Sequence, residues 1–221
     1  MESVANPAFA HYCQAIFELD EDEIEVIQAR IAERLVVSRP AVSEMIRRLE
    51  AEGLIVSAGR NQIRLSDAGR DLAEQVVRRH RLAERFLTDV LAVSWAEAHH
   101  EAERWSSVMS ERVVGAMAHL LGEPTTCPHG NPIPGSDYRE SGSTALSEVP
   151  VGGSFLVTRI PEELEFTPGL LDFLEQSRIV PGRRGSVTAV SPDGTMTVQV
   201  DAGVIGLGAF ASSRLLVDRL S

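Results

Sequence analysis

Lysine is absent from this chain: all 21 basic residues are arginine. They are outnumbered by 32 acids, for a formal net charge of −11. That balance excludes indiscriminate nucleic-acid binding, because phosphate affinity comes mainly from basic charge. Arginines gathered on one surface, or bound cations that offset the acids, would still permit binding. Cysteine is scarce. Cys13 and Cys127 lie far apart, which excludes a disulfide scaffold and fits a reducing cytoplasm. No run reaches the roughly eighteen apolar residues of a spanning helix. The N-terminus has neither the basic start nor the apolar core of a secretory signal. A cytoplasmic protein with no membrane partner is therefore expected. Nucleophile elbow, phosphate loop and dinucleotide fingerprint are all missing, as are internal repeats and coiled-coil heptads.

The 221 residues are 43% apolar and 24% charged, ordinary values for a globular chain. Apolar residues at Phe9, Tyr12, Ile16 and Leu19 predict a helix over 7–19, and Ile24, Ile27 and Ile31 a short one over 24–34. Ser38 caps a third helix, with Pro40 in its first turn, that runs to about Glu52 before Gly53 stops it. Strands at 54–56 and 63–65 flank a turn at 57–61. A long helix is expected over 67–91 and another over 94–121. The Pro- and Gly-rich stretch that follows reads as loop, with flexible sequence at 136–145. From about Gly153 the pattern becomes short strands with a hairpin signal at Ser191-Pro-Asp-Gly194 and a short helix over 168–176. The glycines at 203–208 read as turns before a last strand near 214–217. The expected fold is mainly α with small β parts. It comprises an N-terminal winged helix-turn-helix (1–70), a helical domain (71–140), a linker (141–152) and a small C-terminal barrel of SH3-like type (153–221).

Two constellations carry chemistry. A helix presented by a short turn fits the DNA major groove, while a hairpin reaches the flanking backbone. The reading positions are Ser38, Arg39, Pro40, Ser43, Glu44, Arg47 and Arg48, with Arg60, Asn61 and Arg64 on the wing. The same spacing also fits a plain helical bundle with arginines on a solvated face. The second constellation is histidine and carboxylate: His80 with Glu84, and His99 with Glu103, each one helical turn apart on adjoining helices. Imidazole and carboxylate without thiolate suit a divalent transition metal, and two helices can supply most of a site. Solvated neighbour pairs would look the same. His119 and His129 have no partner visible in the sequence. Cys127-Pro-His129 has ligand-pair spacing, but no second Cys/His cluster accompanies it.

The motifs Ala29-Arg-Ile-Ala-Glu-Arg-Leu35, Ser38-Arg-Pro-Ala-Val-Ser43, Arg79-His-Arg-Leu-Ala-Glu-Arg85, His99-His-Glu-Ala-Glu-Arg-Trp105 and Gly130-Asn-Pro-Ile-Pro134 resemble the diphtheria toxin repressor family of iron- or manganese-activated repressors. The resemblance covers about 1–140 specifically and 150–221 more weakly. It implies a non-enzymatic, metal-activated repressor of metal-homeostasis genes, a homodimer on an inverted-repeat DNA operator, with an SH3-like (FeoA-like) third domain. It also implies a main metal site of His80, Glu84, His99, Glu162 and Glu165. At the family's other site His11 and Glu103 match ligand positions, but Ser106 and Ser107 stand where a Glu and a His belong. That second site is expected to be weaker or lost, with Gln14 offering a carbonyl oxygen nearby. Oxygen-rich donors favour Mn²⁺ slightly over Fe²⁺. A metal-independent regulator on the same scaffold, or a metalloenzyme using His80, Glu84 and His99 around an activated water, are the competing readings.

Overall fold

The computed structural model describes residues 6–58, 62–139 and 142–220. Wing residues Arg60 and Asn61 lie outside them. Helix α1 (Pro7–Glu21) starts at Asn6, whose side chain accepts from the Ala8 N–H, with Pro7 in the first turn. Helices α2 (Gln28–Leu35) and α3 (Arg39–Ala51) form the helix-turn-helix. Ser38 caps α3, and Val42, Ile46 and Leu49 are buried. After Gly53, at a φ of 71° that favours glycine, strands β1 (Ile55–Ala58) and β2 (Gln62–Leu65) pair antiparallel as the wing.

Helix α4 (Asp67–Asp89), capped by Ser66, is the spine of the middle domain. It packs on α1 and on α5 (Trp95–Ser106). The helix expected over 94–121 is two helices. Ser110 accepts from the Val113 N–H and starts α6 (Glu111–Leu120) afresh. The apolar period runs through the break, so periodicity alone did not reveal it. The loop that follows is ordered by its own backbone bonds. Cys127 N–H donates to Asn131 O at 2.9 Å, and Ile160 N–H donates to His129 O at 2.8 Å. Gly130 has φ 90°, and a Cβ there would meet Thr158 O at 2.2 Å. The loop is thus pressed between the helices and the C-terminal domain.

That domain is a six-stranded antiparallel sheet in the order β3-β8-β4-β5-β6-β7, consistent with an SH3-like fold. Its strands are β3 (Thr144–Ala145), β4 (Ser154–Arg159), β5 (Arg184–Val190), β6 (Met196–Val200), β7 (Gly203–Leu207) and β8 (Leu216–Leu220). Helices α7 (Glu162–Glu165), α8 (Leu170–Gln176) and α9 (Ala209–Ser212) are inserted between them. Phe155, Val157, Leu164, Leu174 and Val198 centre its core. Two details differ from expectation. Thr144–Ala145, in the linker stretch, joins the sheet against β8. The glycine run at 203–208 contains strand β7, because Gly203 and Gly206 pair with Val200 and Thr197. Among the described residues no helix is long and apolar enough to cross a membrane.

The start of α4 is packed tightly against the wing. A Cβ on Gly69 would lie 1.9 Å from Leu54 O, and that carbonyl already accepts from the Ser66 N–H at 3.0 Å. The obstruction is backbone, so relief requires moving the wing or the helix. Gly69→Ala should therefore destabilise the fold by about 2–4 kcal/mol. Thermal unfolding checks this, and an unchanged midpoint would contradict the contact.

Candidate metal centre

Helical spacing puts His80 and Glu84 on one face of α4, and α5 turns His99 toward them. His80 Nε2 lies 3.1 Å and His99 Nδ1 2.9 Å from Glu84 Oε1. The third domain brings Glu165 from α7, with Oε2 3.2 Å from His99 Nδ1. The loop brings His129, whose Nδ1 is 2.9 Å from the same Glu165 oxygen. All five side chains are buried. His80, Glu84 and His99 place ligand atoms within 4.8 Å of one another, and so do Glu84, Cys127 and His129, with Glu84 common to both groups. Opposed donors around a divalent ion at roughly 2.1 Å stand about 4.2 Å apart, so the cluster is near the size of a coordination shell.

A polar-atom census tests the fit. Among the described residues His80 Nδ1, both ring nitrogens of His129, Glu165 Oε2 and Glu162 Oε2, with Arg79 Nε and Arg81 Nε, are buried without an aligned hydrogen-bond partner. Native interiors leave few such atoms. Imidazole nitrogens and carboxylate oxygens crowded together with part of their hydrogen-bonding capacity unmet suit a cation between them. The other oxygen of Glu165 accepts from Asn131 Nδ2 at 2.5 Å, and Asn131 also donates to Ile160 O at 3.0 Å. Asn131 thereby orients the carboxylate, as partners behind a metal ligand do.

Protons do the balancing when no cation is present. Burial alone would keep Glu84 neutral, but the positive charges of His80 and His129 outweigh it and hold its pKa well below the usual carboxylate range. Burial likewise opposes ionisation of Glu165, and the charge of His129 overcomes it, bringing the pKa down to about 2. Burial should drive His99 neutral, yet its contacts with Glu165 and Glu84 raise it to about 11. His129 is raised well above the ordinary histidine value by the same two carboxylates against its burial. Burial, followed by the charge of Glu84, lifts the Cys127 thiol.

The remaining expected residues have other neighbours. Glu162, one turn before Glu165, is buried against arginines: Oε1 is 2.9 Å from Arg81 Nη2 and Oε2 is 3.8 Å from Arg34 Nη2. His11 and Glu103 are exposed. They line a cleft of about 200 Å³ shared with Gln14, Glu18, His80 and His99. Glu18 there is held by Arg34 at 2.6 Å and accepts from Gln14 Nε2 at 2.8 Å. Ser106 and Ser107 donate to the carbonyls of Glu103 and Arg104 at 2.8 and 2.9 Å, so both hydroxyls are spent within their own helix. His129 and Asn131 are the residues that sequence reasoning passed over. The Cys127-Pro-His129 spacing and the Gly130-Asn131 motif were the available signals, and the missing partners come from α4 and α7.

On the reading helix, Ser38, Arg39, Pro40, Glu44, Arg47 and Arg48 are exposed and Ser43 is half-buried. Arg48 sits 5.2 Å from the Phe9 ring centroid. Arg39, Arg47 and Arg64 form no ion pair among the described residues. Their charge is free for an anionic partner.

Comparisons with known proteins identify relatives of the chain. The family model described as "Iron dependent repressor, N-terminal DNA binding domain" matches residues 8–62. A second, "Iron dependent repressor, metal binding and dimerisation domain", matches residues 66–135. The chain is similar to the iron-dependent repressor IdeR of Mycobacterium tuberculosis, 38% identical over 200 residues that cover 86% of each chain. It is similar to the diphtheria toxin repressor of Corynebacterium diphtheriae, 44% identical over 126 residues, 57% of this chain and 56% of that one. Among solved structures, a manganese-dependent transcriptional repressor in complex with manganese superposes with a TM-score of 0.85 at 32% identity, covering 96% of this chain and 100% of the other.

A cation entering the cluster has to displace the protons on His99 and His129. Affinity should therefore rise with pH from the acid side up toward about 11, where His99 loses its proton unaided, with about one to two protons released per ion. Titration calorimetry of Mn²⁺ in buffers of different ionisation enthalpy reads both quantities, and a heat independent of buffer would contradict the proton-balanced cluster. His129→Ala should weaken ion binding at least about tenfold.

Proposed function

The chain belongs to the diphtheria toxin repressor family, and from that premise we propose that Mn²⁺ held by His80, Glu84, His99 and Glu165, with His129 beside them, is its corepressor. Membership makes it a metal-dependent, DNA-binding transcriptional repressor with a dimerisation domain, not an enzyme. The observation that carries the metal assignment is the cluster of buried imidazoles and carboxylates that α4, α5, the 127–131 loop and α7 bring together, in which His80 Nδ1, both ring nitrogens of His129 and Glu165 Oε2 have no aligned hydrogen-bond partner. A bound divalent cation supplies two positive charges and a coordination shell shared by those four segments. Imidazole and carboxylate donors accept either Mn²⁺ or Fe²⁺, and the manganese bound by the superposing solved repressor is what favours Mn²⁺ here. Glu162 enters the proposal as the carboxylate that anchors α7 on Arg81 rather than as a ligand. The site at His11 and Glu103 is the weaker one, because its two serines are poor neutral donors already engaged with the backbone.

In this reading Arg39 and Arg47 grip phosphate or guanine, Ser38, Ser43 and Pro40 meet the duplex at the start of α3, and Glu44 and Arg48 border the contact. Arg60 and Asn61 extend it along the wing. One chain reads only half of an inverted-repeat operator, so the active form is a two-fold dimer. Val90, Leu91, Val108, Val113 and Leu120 are exposed along α4–α6 and their connections. They supply the apolar surface for that contact.

Metal-stripped protein titrated with Mn²⁺ and with Fe²⁺ against a duplex selected from a random pool tests the proposal. Binding should depend on the metal and respond more to Mn²⁺. His80→Ala should lose most of the metal stimulation, while Ser107→Ala should change it little. Equal DNA binding with and without metal would contradict the reading. Arg47→Ala should weaken binding on all sequences and flatten the salt slope by about one unit. An unchanged slope would remove Arg47 from the phosphate contacts.

A further inference from the structure

The third domain touches the helix-turn-helix directly, through charges that burial makes costly. Arg34, on α2, is buried with its guanidinium between Glu18 of α1, 2.6 Å away, and Glu162 of α7, 3.8 Å away. Phe166, the residue after α7, lies under it, 3.6 Å from guanidinium carbon to ring centroid. A second contact lies beside the first. Arg159, at the end of β4, reaches Asp22 at 2.6 Å and Glu21 at 3.2 Å at the end of α1. The Glu163 N–H donates to the other oxygen of Asp22 at 3.0 Å. Arg81 of α4 closes the array by bridging Glu21 at 2.6 Å and Glu162 at 2.9 Å.

Such an array is poorly suited to plain stabilisation. Buried ion pairs recover little more than their desolvation cost, whereas apolar packing of the same volume would do better. Their geometry, however, is strict: one partner moved away leaves the other charged and stranded. A seam of this kind therefore specifies one relative orientation and opens reversibly. Its position adds a second property. Glu162 and Glu165 stand one turn apart on the same four-residue helix. One carboxylate faces the arginines and the other faces His99 and His129. A movement of α7 that alters one contact alters the other.

We infer that Phe166, Glu162 and Arg159 form a latch by which the third domain holds the helix-turn-helix in one orientation through Arg34 and Asp22, and that α7 links this latch to ion occupancy of the histidine cluster. The coupling rests on the reading that an ion at the cluster activates DNA binding. Phe166, Arg34 and Arg159 are positioning residues for that binding, since none of them lies on the reading helix.

Single-molecule energy transfer in the full-length protein tests the latch. Dyes go on Glu33→Cys of α2 and Thr188→Cys of β5, both exposed positions, while native Cys13 and Cys127 are buried and stay unlabelled. Labelled chains are diluted into unlabelled protein so that only intrachain distances are read. With Mn²⁺ the parent should show one narrow population that broadens on chelation. Phe166→Ala should stay broad with Mn²⁺ and lose about tenfold in affinity for the selected duplex, within the range of known couplings between sites, and its Mn²⁺ affinity should fall by a similar factor because such coupling is reciprocal. Phe166→Tyr, which keeps the stacking face, should restore all three. Phe166 is 45% exposed, so its loss is mild for the fold, and Arg159→Gln provides an independent break of the second contact. A narrow parent-like population and parent-like duplex affinity in both Phe166→Ala and Arg159→Gln would overturn the latch. A parent that ignores Mn²⁺ while Phe166→Ala broadens would overturn the coupling and the metal-activated reading, and leave the latch standing.

Discussion

Charge removed from water has to be neutralised where it is buried, and this chain concentrates its buried charge along one seam. Glu84, Glu165 and three histidines form one part of it, and Glu18, Glu162, Arg34 and Arg81 form the adjoining part. The seam runs where α1, α2, α4 and α5 meet the loop at 127–131 and the third domain. The close approach of Gly130 to β4 and the split between α5 and α6 both belong to the local structure that brings these groups together. The balance is met in two ways. Arginines neutralise one set permanently, because a guanidinium keeps its proton. Histidines neutralise the other set reversibly, because an imidazole can give its proton up in exchange for a cation.

Helix α7 stands across that division. Its two inward carboxylates are chemically alike, yet Glu162 faces Arg81 and Arg34, while Glu165 is held low among imidazoles. One turn of helix thus separates a carboxylate committed to arginine from one available to an ion. The third domain is therefore part of the site rather than an appendage. It also reaches α5 directly, where Glu175 of α8 accepts from the Trp95 N–H at 3.1 Å and so caps the helix that carries His99.

The parts of this arrangement that are local in sequence were legible there. Ser38, Pro40 and Gly53 mark the limits of α3, and the spacing of Val42, Ile46 and Leu49 gives its inner face. The four-residue step from His80 to Glu84 gives half the cluster. What remained hidden depends on tertiary return. His129 has no periodic context, and its partners lie about 45 residues before it and 36 after it. Asn131 looked like part of a turn motif, although its amide holds Glu165. Glu162 matches a ligand by position, and only the tertiary structure brings Arg81 and Arg34 to it as well. The break between α5 and α6 and the strand at 203–207 were obscured for simpler reasons. An apolar period can continue through a capped restart, and glycines can sit in a paired edge strand.

The central claim is that the buried cluster, not the exposed pair on the cleft, is where this chain takes its ion. Anomalous diffraction at the manganese edge, from crystals grown with Mn²⁺, tests it most directly. The account predicts the dominant peak between His80, Glu84, His99 and Glu165, with weak or no density at His11 and Glu103. A strong peak at His11 and Glu103, with none between His80 and His99, would contradict it.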